Sequence, residues 1–227
     1  MAAIFAGEVE TGVNKDGQIL WKKATDPLEK VSVRGLLLKS GQWTLLYRER
    51  LFLAFHKPPD TECSHAPGHH RSVFGFFPEP FLRRGLQSVG RLDADTTGLL
   101  LLSDHGPFNH FMTSPRRHVP KTYRVEAKHP ITVEQVGKLA AGVSLRGEEN
   151  PTRPAHIELS GEKQCQLTIE EGKYHQVKRM FGAVGNRVET IHRTAVGGVK
   201  LEESLTPGQW RYLTEGELTA LGFLPET

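Results

Sequence analysis

Residues 99–102 read Leu-Leu-Leu-Leu, directly behind an acidic, glycine-bounded stretch, GRLDADTTG, at residues 90–98. A short apolar run held between turn residues suits a buried strand. It commits the chain to a core wide enough to cover that strand, and it places Asp93 and Asp95 at the strand's mouth. At 227 residues the chain can bury a sizeable core, as one large domain or as a main domain with a small appendage. With 37% hydrophobic and 24% charged residues it is neither disordered nor membrane-spanning in composition. No apolar run approaches the length of a membrane helix. The opening MAAIFAGEVE lacks the basic start and long apolar stretch of a signal peptide. Two cysteines, Cys63 and Cys165, make no disulfide framework and point to a reducing, cytoplasmic setting.

Net charge is only +3, so charge distribution carries more than charge total. Between Phe81 and Lys128 eight bases (Arg83, Arg84, Arg91, Arg116, Arg117, Lys121, Arg124, Lys128) face four acids (Asp93, Asp95, Asp104, Glu126). Beyond Leu201 the balance reverses, with Glu202, Glu203, Glu215, Glu217 and Glu226 against Arg211. A basic middle and an acidic end suit one face made for a polyanion, although ordinary solvated surface reads the same way.

Residues 1–47 read as short strands and turns, with turn signals at Lys15-Asp16-Gly17 and Ser40-Gly41, and resemble part of a module. The main domain, residues 48–227, opens with LFLAFHKPP, a buried strand stopped by Pro58 and Pro59. After the leucine run, Pro107, Phe108, Phe111 and Met112 predict a short helix capped by Asp104 and closed before Pro115. KTYRVEA alternates as a half-exposed strand, and ITVEQVGKLAAGV places Val133, Val136, Leu139 and Ala140 at helical spacing. In CQLTIEEGKYHQVKRMFGAVG the period changes midway. Cys165, Leu167 and Ile169 alternate as a strand, then Val177, Met180, Phe181 and Val184 follow a helix that Gly185 and Asn186 end. The mixture predicts an α+β fold with a mixed, largely antiparallel sheet flanked by helices.

Asp93, Asp95, Thr97, Gly98 and Asp104 fit five positions of a calcium loop, but the leucines occupy positions where that loop needs oxygen. Asp93-Ala94-Asp95-Thr96-Thr97 matches an aspartate-phosphatase pattern, yet the apolar run follows the carboxylates instead of preceding them. CSHAPGHH has no zinc-ligand spacing and reads as a polar loop. Arg91 and Asp93 flank Leu92, so alternation puts both on one side of the chain while Leu92 anchors the other. On the later helix His175, Lys178 and Arg179 share a face, joined by Lys173 just before it. That density of bases suits a phosphate backbone or a paired carboxylate.

GRLDADTTGLLLLSDHG, TSPRRHVPKTYRV and EGKYHQVKRMFGAVGNRVETIHR stand in the order and spacing of ribosomal pseudouridine synthases, and the chain most resembles the small-subunit (16S rRNA) uridine-516 branch. The resemblance runs from about Leu51 through GGVKL and LTPGQWRYLTEGEL. It implies an isomerase of RNA modification and ribosome biogenesis, acting in the cytoplasm as a monomer, with no cofactor, no metal and no membrane. Its substrate would be ribosomal RNA, free or in an assembling small subunit. Asp93 matches the catalytic aspartate, acting on a flipped uridine by attack at C1′ or by removing the 2′ proton. Tyr123 would stack on the uracil and take the C5 proton. Lys178, with Lys173 second, would keep Asp93 ionised, and Asp95 would orient loop amides and Thr97. Arg91, Arg116, Arg117, Lys121, Lys173, His175 and Arg179 would hold the RNA. HKPPDTEC departs from the family's loop, lacking its asparagine before Lys-Pro and its glycine after. IFAGEVETGVNKDG resembles only the second half of the family's small RNA-binding module. The rival reading is a catalytically idle RNA-binding or ribosome-assembly factor on the same scaffold, which would have no use for a costly carboxylate among phosphates.

Overall fold

The computed structural model describes residues 10–15, 18–23, 36–40 and 42–223. Residues 1–9, the turn positions Asp16, Gly17 and Gly41, and Glu226 lie outside them. Four strands come first: β1 (Glu10–Lys15), β2 (Gln18–Lys23), β3 (Leu37–Ser40) and β4 (Trp43–Leu46) form an antiparallel sheet in the order β2-β1-β3-β4.

The main sheet begins with β5 (Phe52–Lys57), which Pro58 and Pro59 stop as expected. Two short strands, β6 (Thr61–Glu62) and β7 (Arg71–Ser72), pair with each other and frame the polar loop between them. Helix α1 (Glu79–Arg83) and β8 (Gln87–Ser88) lead to β9 (Thr97–Ser103), the strand that holds the leucine run. Then follow α2 (Gly106–Thr113), β10 (Lys121–Ala127), α3 (Val133–Ala141), β11 (His156–Leu159), β12 (Gln164–Ile169) and α4 (Gln176–Ala183). The chain closes with β13 (Val188–Val196), β14 (Val199–Lys200), β15 (Trp210–Tyr212) and α5 (Glu215–Ala220).

The large sheet runs β11-β12-β10-β13-β9-β5-β15, with β8 and β14 added beside β9 and β13. Only β13 and β9 run parallel among its described pairings. This is the mixed, largely antiparallel α+β architecture that the sequence predicts. β9 is central, and both of its faces are covered. Leu100 and Leu102 join Leu53, Phe55, Val125, Met180 and Phe181 on one side. Leu99 and Leu101 join Phe52, Phe108, Met112 and Leu218 on the other. Burying each such side chain contributes about 1.5–3 kcal/mol, so the run is a principal source of stability.

Two local expectations change. Helix α2 is capped by His105, whose Nδ1 accepts from the Phe108 amide at 3.3 Å, and not by Asp104. Asp104 is drawn away by long-range partners: it accepts from the Leu51 amide at 2.7 Å and pairs with Arg84 in a nearly buried bridge. Arg84 also donates to the Arg48 and Glu49 carbonyls, so it braces the chain between the two sheets. In α3, Leu139 is buried and Val136 partly so, but Val133 is 85% exposed at the first helical position, outside the stripe.

The small sheet shares its core with the main domain. Leu36, Leu38 and Leu45 belong to the cluster that contains Phe81, and Trp43 packs against Trp210 of β15 at 5.9 Å between ring centroids. Tyr212 donates its hydroxyl to the Leu46 carbonyl at 2.9 Å.

Candidate active site

Residues 89–96 cross the C-terminal edge of β8 to the start of β9, and the chain holds them from several sides. The Val89 amide donates to Leu101 O at 2.8 Å, and Gly90 takes a left-handed φ of 73° that bends the loop. Cys63 receives the Leu92 amide on its sulfur and faces the Leu92 carbonyl, which pins the buried Leu92. The Thr96 amide closes a turn on Asp93 O at 3.1 Å.

Beneath this turn lies Lys57, fully buried at the end of β5. Its ammonium donates to the carbonyls of Pro58 (3.1 Å), Ala94 (2.9 Å) and Thr96 (2.9 Å). Burial pushes its pKa down to about 8, against the pull of Cys63, Asp95, Asp93 and Asp60. The sequence gives no sign of this role, because a lysine ahead of two prolines reads as the end of a strand.

Asp93 emerges from the held turn into a small cleft of about 90 Å³ lined by Arg91, Tyr123, Lys173, His175 and Lys178 among others. His175 Nε2 is 3.4 Å from Asp93 Oδ1, and Lys178 Nζ is 3.5 Å from Oδ2. Tyr123 is nearly buried, projecting from the core face of β10. His175 sits in left-handed backbone (φ 46°) at the start of α4 and stacks on the exposed Tyr174 at 3.8 Å.

Lys178 is shared. It lies 2.7 Å from both oxygens of Asp95, closer than to Asp93. Burial raises the Asp95 carboxyl, but the Lys178 ammonium more than offsets this and holds it below its ordinary value. Asp95 is therefore a partner of Lys178, and the Thr97 hydroxyl expected to lean on it instead meets His192 Nδ1 at 2.8 Å. Burial, Arg124 and His56 push His192 down to about 4, so it is neutral at ordinary pH.

The remaining bases divide. Lys121 lines a second, larger cleft of about 440 Å³ that shares Arg91, Tyr123 and Lys173 with the first. Lys173 pairs with Glu148 at 3.4 Å and donates to the Asn150 carbonyl. Arg179 is tied to Glu148 at 3.0 Å and to the Tyr174 and Arg146 carbonyls, and it lines neither cleft. Arg116 and Arg117 stand exposed on the 3-10 turn after α2, with Arg117 over the Phe111 ring at 4.5 Å. In the polar loop Glu62 accepts the amides of Gly68, His69 and His70, which hold its pKa down to about 2, and His65 stacks on Phe74. Among the described residues no group of three or more His, Cys, Asp or Glu is placed to hold a metal ion.

Asp93, on a turn held over a buried lysine and sharing Lys178 with Asp95, opens into a cleft walled by a tyrosine and several bases, an arrangement suited to an anionic substrate. Over residues 51–183 the chain matches the family model described as RNA pseudouridylate synthase. The chain belongs to that family. Ribosomal small subunit pseudouridine synthase A of Vibrio cholerae serotype O1 is 44% identical over 216 residues, spanning 88% of this chain and 93% of that protein. The protein of the same name from Haemophilus influenzae is 39% identical over 205 residues, spanning 84% and 88%. A solved structure titled as a crystal structure of pseudouridylate synthase superposes with a TM-score of 0.73 at 38% identity, over 96% of this chain and 90% of that one. The synthase is thus an isomerase, and its matched span contains Asp93, Tyr123, Lys173, His175 and Lys178. No helix among its described residues is long and apolar enough to cross a membrane.

Proposed function

We propose that this synthase isomerises uridine to pseudouridine in ribosomal RNA, at uridine 516 of 16S rRNA, on a nucleotide flipped out of its stack. The observation that carries this is Asp93, held at the mouth of β9 with Lys178 and His175 within 3.5 Å and Tyr123 lining the same cleft. The reaction breaks the N1–C1′ bond, turns the uracil and joins C5 to C1′, releasing any bond from Asp93; C5 loses its proton and N1 gains one, so no atom is gained or lost. Asp93 starts it as the carboxylate, at C1′ or at the 2′ proton. Among RNA phosphates that carboxylate would tend to protonate, and the Lys178 ammonium opposes this. Tyr123 stacks on the uracil, and its hydroxyl oxygen relays the C5 proton, accepting it as its own proton passes to solvent. Isomerisation is redox-neutral, so the mechanism calls on no cofactor.

Arg91, Lys121, Lys173 and His175 meet the nucleotide from the cleft walls, while Arg116 and Arg117 meet the backbone farther out. Arg179 contributes by fixing Glu148 and the backbone before α4. The main domain, residues 48–227, does this as a cytoplasmic monomer on free RNA or an assembling small subunit. Residues 1–47 are a partial RNA-binding module, of which the described strands β1–β4 form one sheet. The test is to map pseudouridine in ribosomal RNA from cells with the gene, without it, and with Asp93→Asn in its place. The first should carry pseudouridine at position 516 and the other two uridine. Pseudouridine at 516 in all three would overturn the assignment.

A further inference from the structure

The second cleft contains a pair of cations without a counter-anion. Arg193, on β13, is only 4% exposed. Its Nε donates to the Leu99 carbonyl at 2.7 Å, but Nη2 is sealed from solvent with no hydrogen-bond partner. Lys121, at the start of β10, stands half-buried on the same cleft, its ammonium pushed below its ordinary pKa by burial and by Arg193 itself. Two acids share the cleft wall, but both are engaged elsewhere. Glu171 accepts from the Arg153 amide at 3.0 Å and from Gln176 at 2.6 Å, and Glu170 pairs with Arg153 at 3.5 Å. A buried guanidinium with an unmet donor beside a second cation is costly unless an anion arrives.

We propose that Lys121 and Arg193 form a phosphate subsite for the RNA phosphodiester adjoining the uridine held over Asp93. This rests on the RNA-directed reading above. The cleft is large enough, at about 440 Å³, and it opens into the Asp93 pocket through Arg91, Tyr123 and Lys173. A base on Tyr123 therefore places its own backbone toward Lys121. A phosphate can accept from the Lys121 ammonium directly, while the Arg193 guanidinium, sealed behind the same cleft wall, attracts it by charge. Binding there would also fix the sugar relative to Asp93, which is the orientation that the reaction at C1′ needs.

The experiment uses the intact protein, with Lys121→Met and Arg193→Lys. Inorganic phosphate is titrated against each and the melting temperature followed, with sodium chloride at matched ionic strength as the control. In parallel, binding to a 16S rRNA transcript is measured across salt concentrations. Phosphate should protect the unaltered protein beyond the chloride control, and that protection should vanish in Lys121→Met. RNA affinity should fall about tenfold in Lys121→Met, with a salt slope flatter by about 0.7. Arg193→Lys keeps the charge, so it should stay close to the unaltered protein in both measurements. Should Arg193→Lys misfold, the half-buried Lys121 still gives the answer. Equal phosphate protection and equal RNA slopes in the unaltered protein and Lys121→Met would overturn the subsite. Loss of phosphate protection with an unchanged RNA slope would make it a site for free phosphate and overturn the RNA assignment. If the unaltered protein bound no rRNA at any salt, the RNA-directed reading itself would fail, and the phosphate arm would still report on the pair.

Discussion

Lys178 stands between two carboxylates and holds Asp95 more closely than Asp93, at 2.7 Å against 3.5 Å. Asp93→Asn should abolish isomerisation while leaving RNA affinity nearly unchanged, since shape is kept and a negative charge is removed. Lys178→Met should lower kcat by roughly a hundredfold or more, by analogy with the loss of one electrostatic donor at a reacting centre. Asp95→Asn should cost much less, because it frees Lys178 to close on Asp93. Single-turnover assays on the three variants would check this order, and an Asp95→Asn loss as large as that of Lys178→Met would contradict it. Lys57 predicts a pH effect of opposite sign for activity and stability. Its folded pKa, about 8, lies below its ordinary value of 10.5, so between those limits the unfolded chain binds more protons. The Lys57 contribution to stability therefore rises with pH across that window. Yet a neutral amine has two N–H donors for three carbonyls, so the Asp93 turn should slacken and activity fall as pH rises through about 8. Turnover and melting temperature measured together from pH 7 to 10 would separate the two. Asp93, Tyr123, His175 and Lys178 line one cleft, a grouping expected from the family resemblance that three short motifs carry. Lys57 and Arg193 were not expected: what distinguishes them is burial against residues 37 and 94 positions away, which no periodicity reports.

Strands with an uninterrupted or alternating apolar pattern, β5, β9, β10 and β12, were readable because their side chains face fixed layers. The cap of α2 was not, since the residue with the right chemistry, Asp104, is claimed by Leu51 and Arg84 from across the fold. Local preference loses whenever a long-range partner gives a buried charge a better bond. β9 and β13 meet at a second such place. Gly98 has φ +103°, and a Cβ built there would lie 2.2 Å from the Arg193 carbonyl oxygen and 2.7 Å from its nitrogen. Backbone atoms of a paired strand cannot yield as a flexible side chain can. Gly98→Ala should destabilise the protein by about 3 kcal/mol, through overlap and left-handed strain together. Urea unfolding would check it, with Gly68→Ala, which meets nothing within 4 Å, as the neutral comparison.

At the scale of the molecule, the charge asymmetry pointed to a polyanion but not to how the two sheets join, which depends on Trp43 packing on Trp210 and on Arg84 reaching the Arg48 carbonyl. Deleting residues 1–47 removes Leu36, Leu38 and Leu45 from a shared core, so it should lower the melting temperature. It should change the salt slope of RNA binding less than Arg116→Ala with Arg117→Ala, each lost phosphate contact being worth about 0.7 to 0.9 of slope. Melting curves and salt-titrated binding of both proteins to one rRNA fragment would check the pair of expectations, and a larger slope change from the deletion would make the small sheet the main RNA contact. The leucine strand has a further consequence, in time instead of space. β9 is flanked by β5 on one side and by β13 on the other, and the β13 edge is joined through His192↔Thr97. During synthesis β5 on one edge and the short β8 on the other are available early, but the Thr97–Gly98 end of that second edge waits until residue 193 has emerged from the ribosome. Until then the most apolar strand of the chain has an edge open at one end, a state prone to misassociation. The last third of the sequence thus completes the fold as well as supplying the bases around Asp93, so a nascent chain acquires its sealed core and its competence for RNA in the same step.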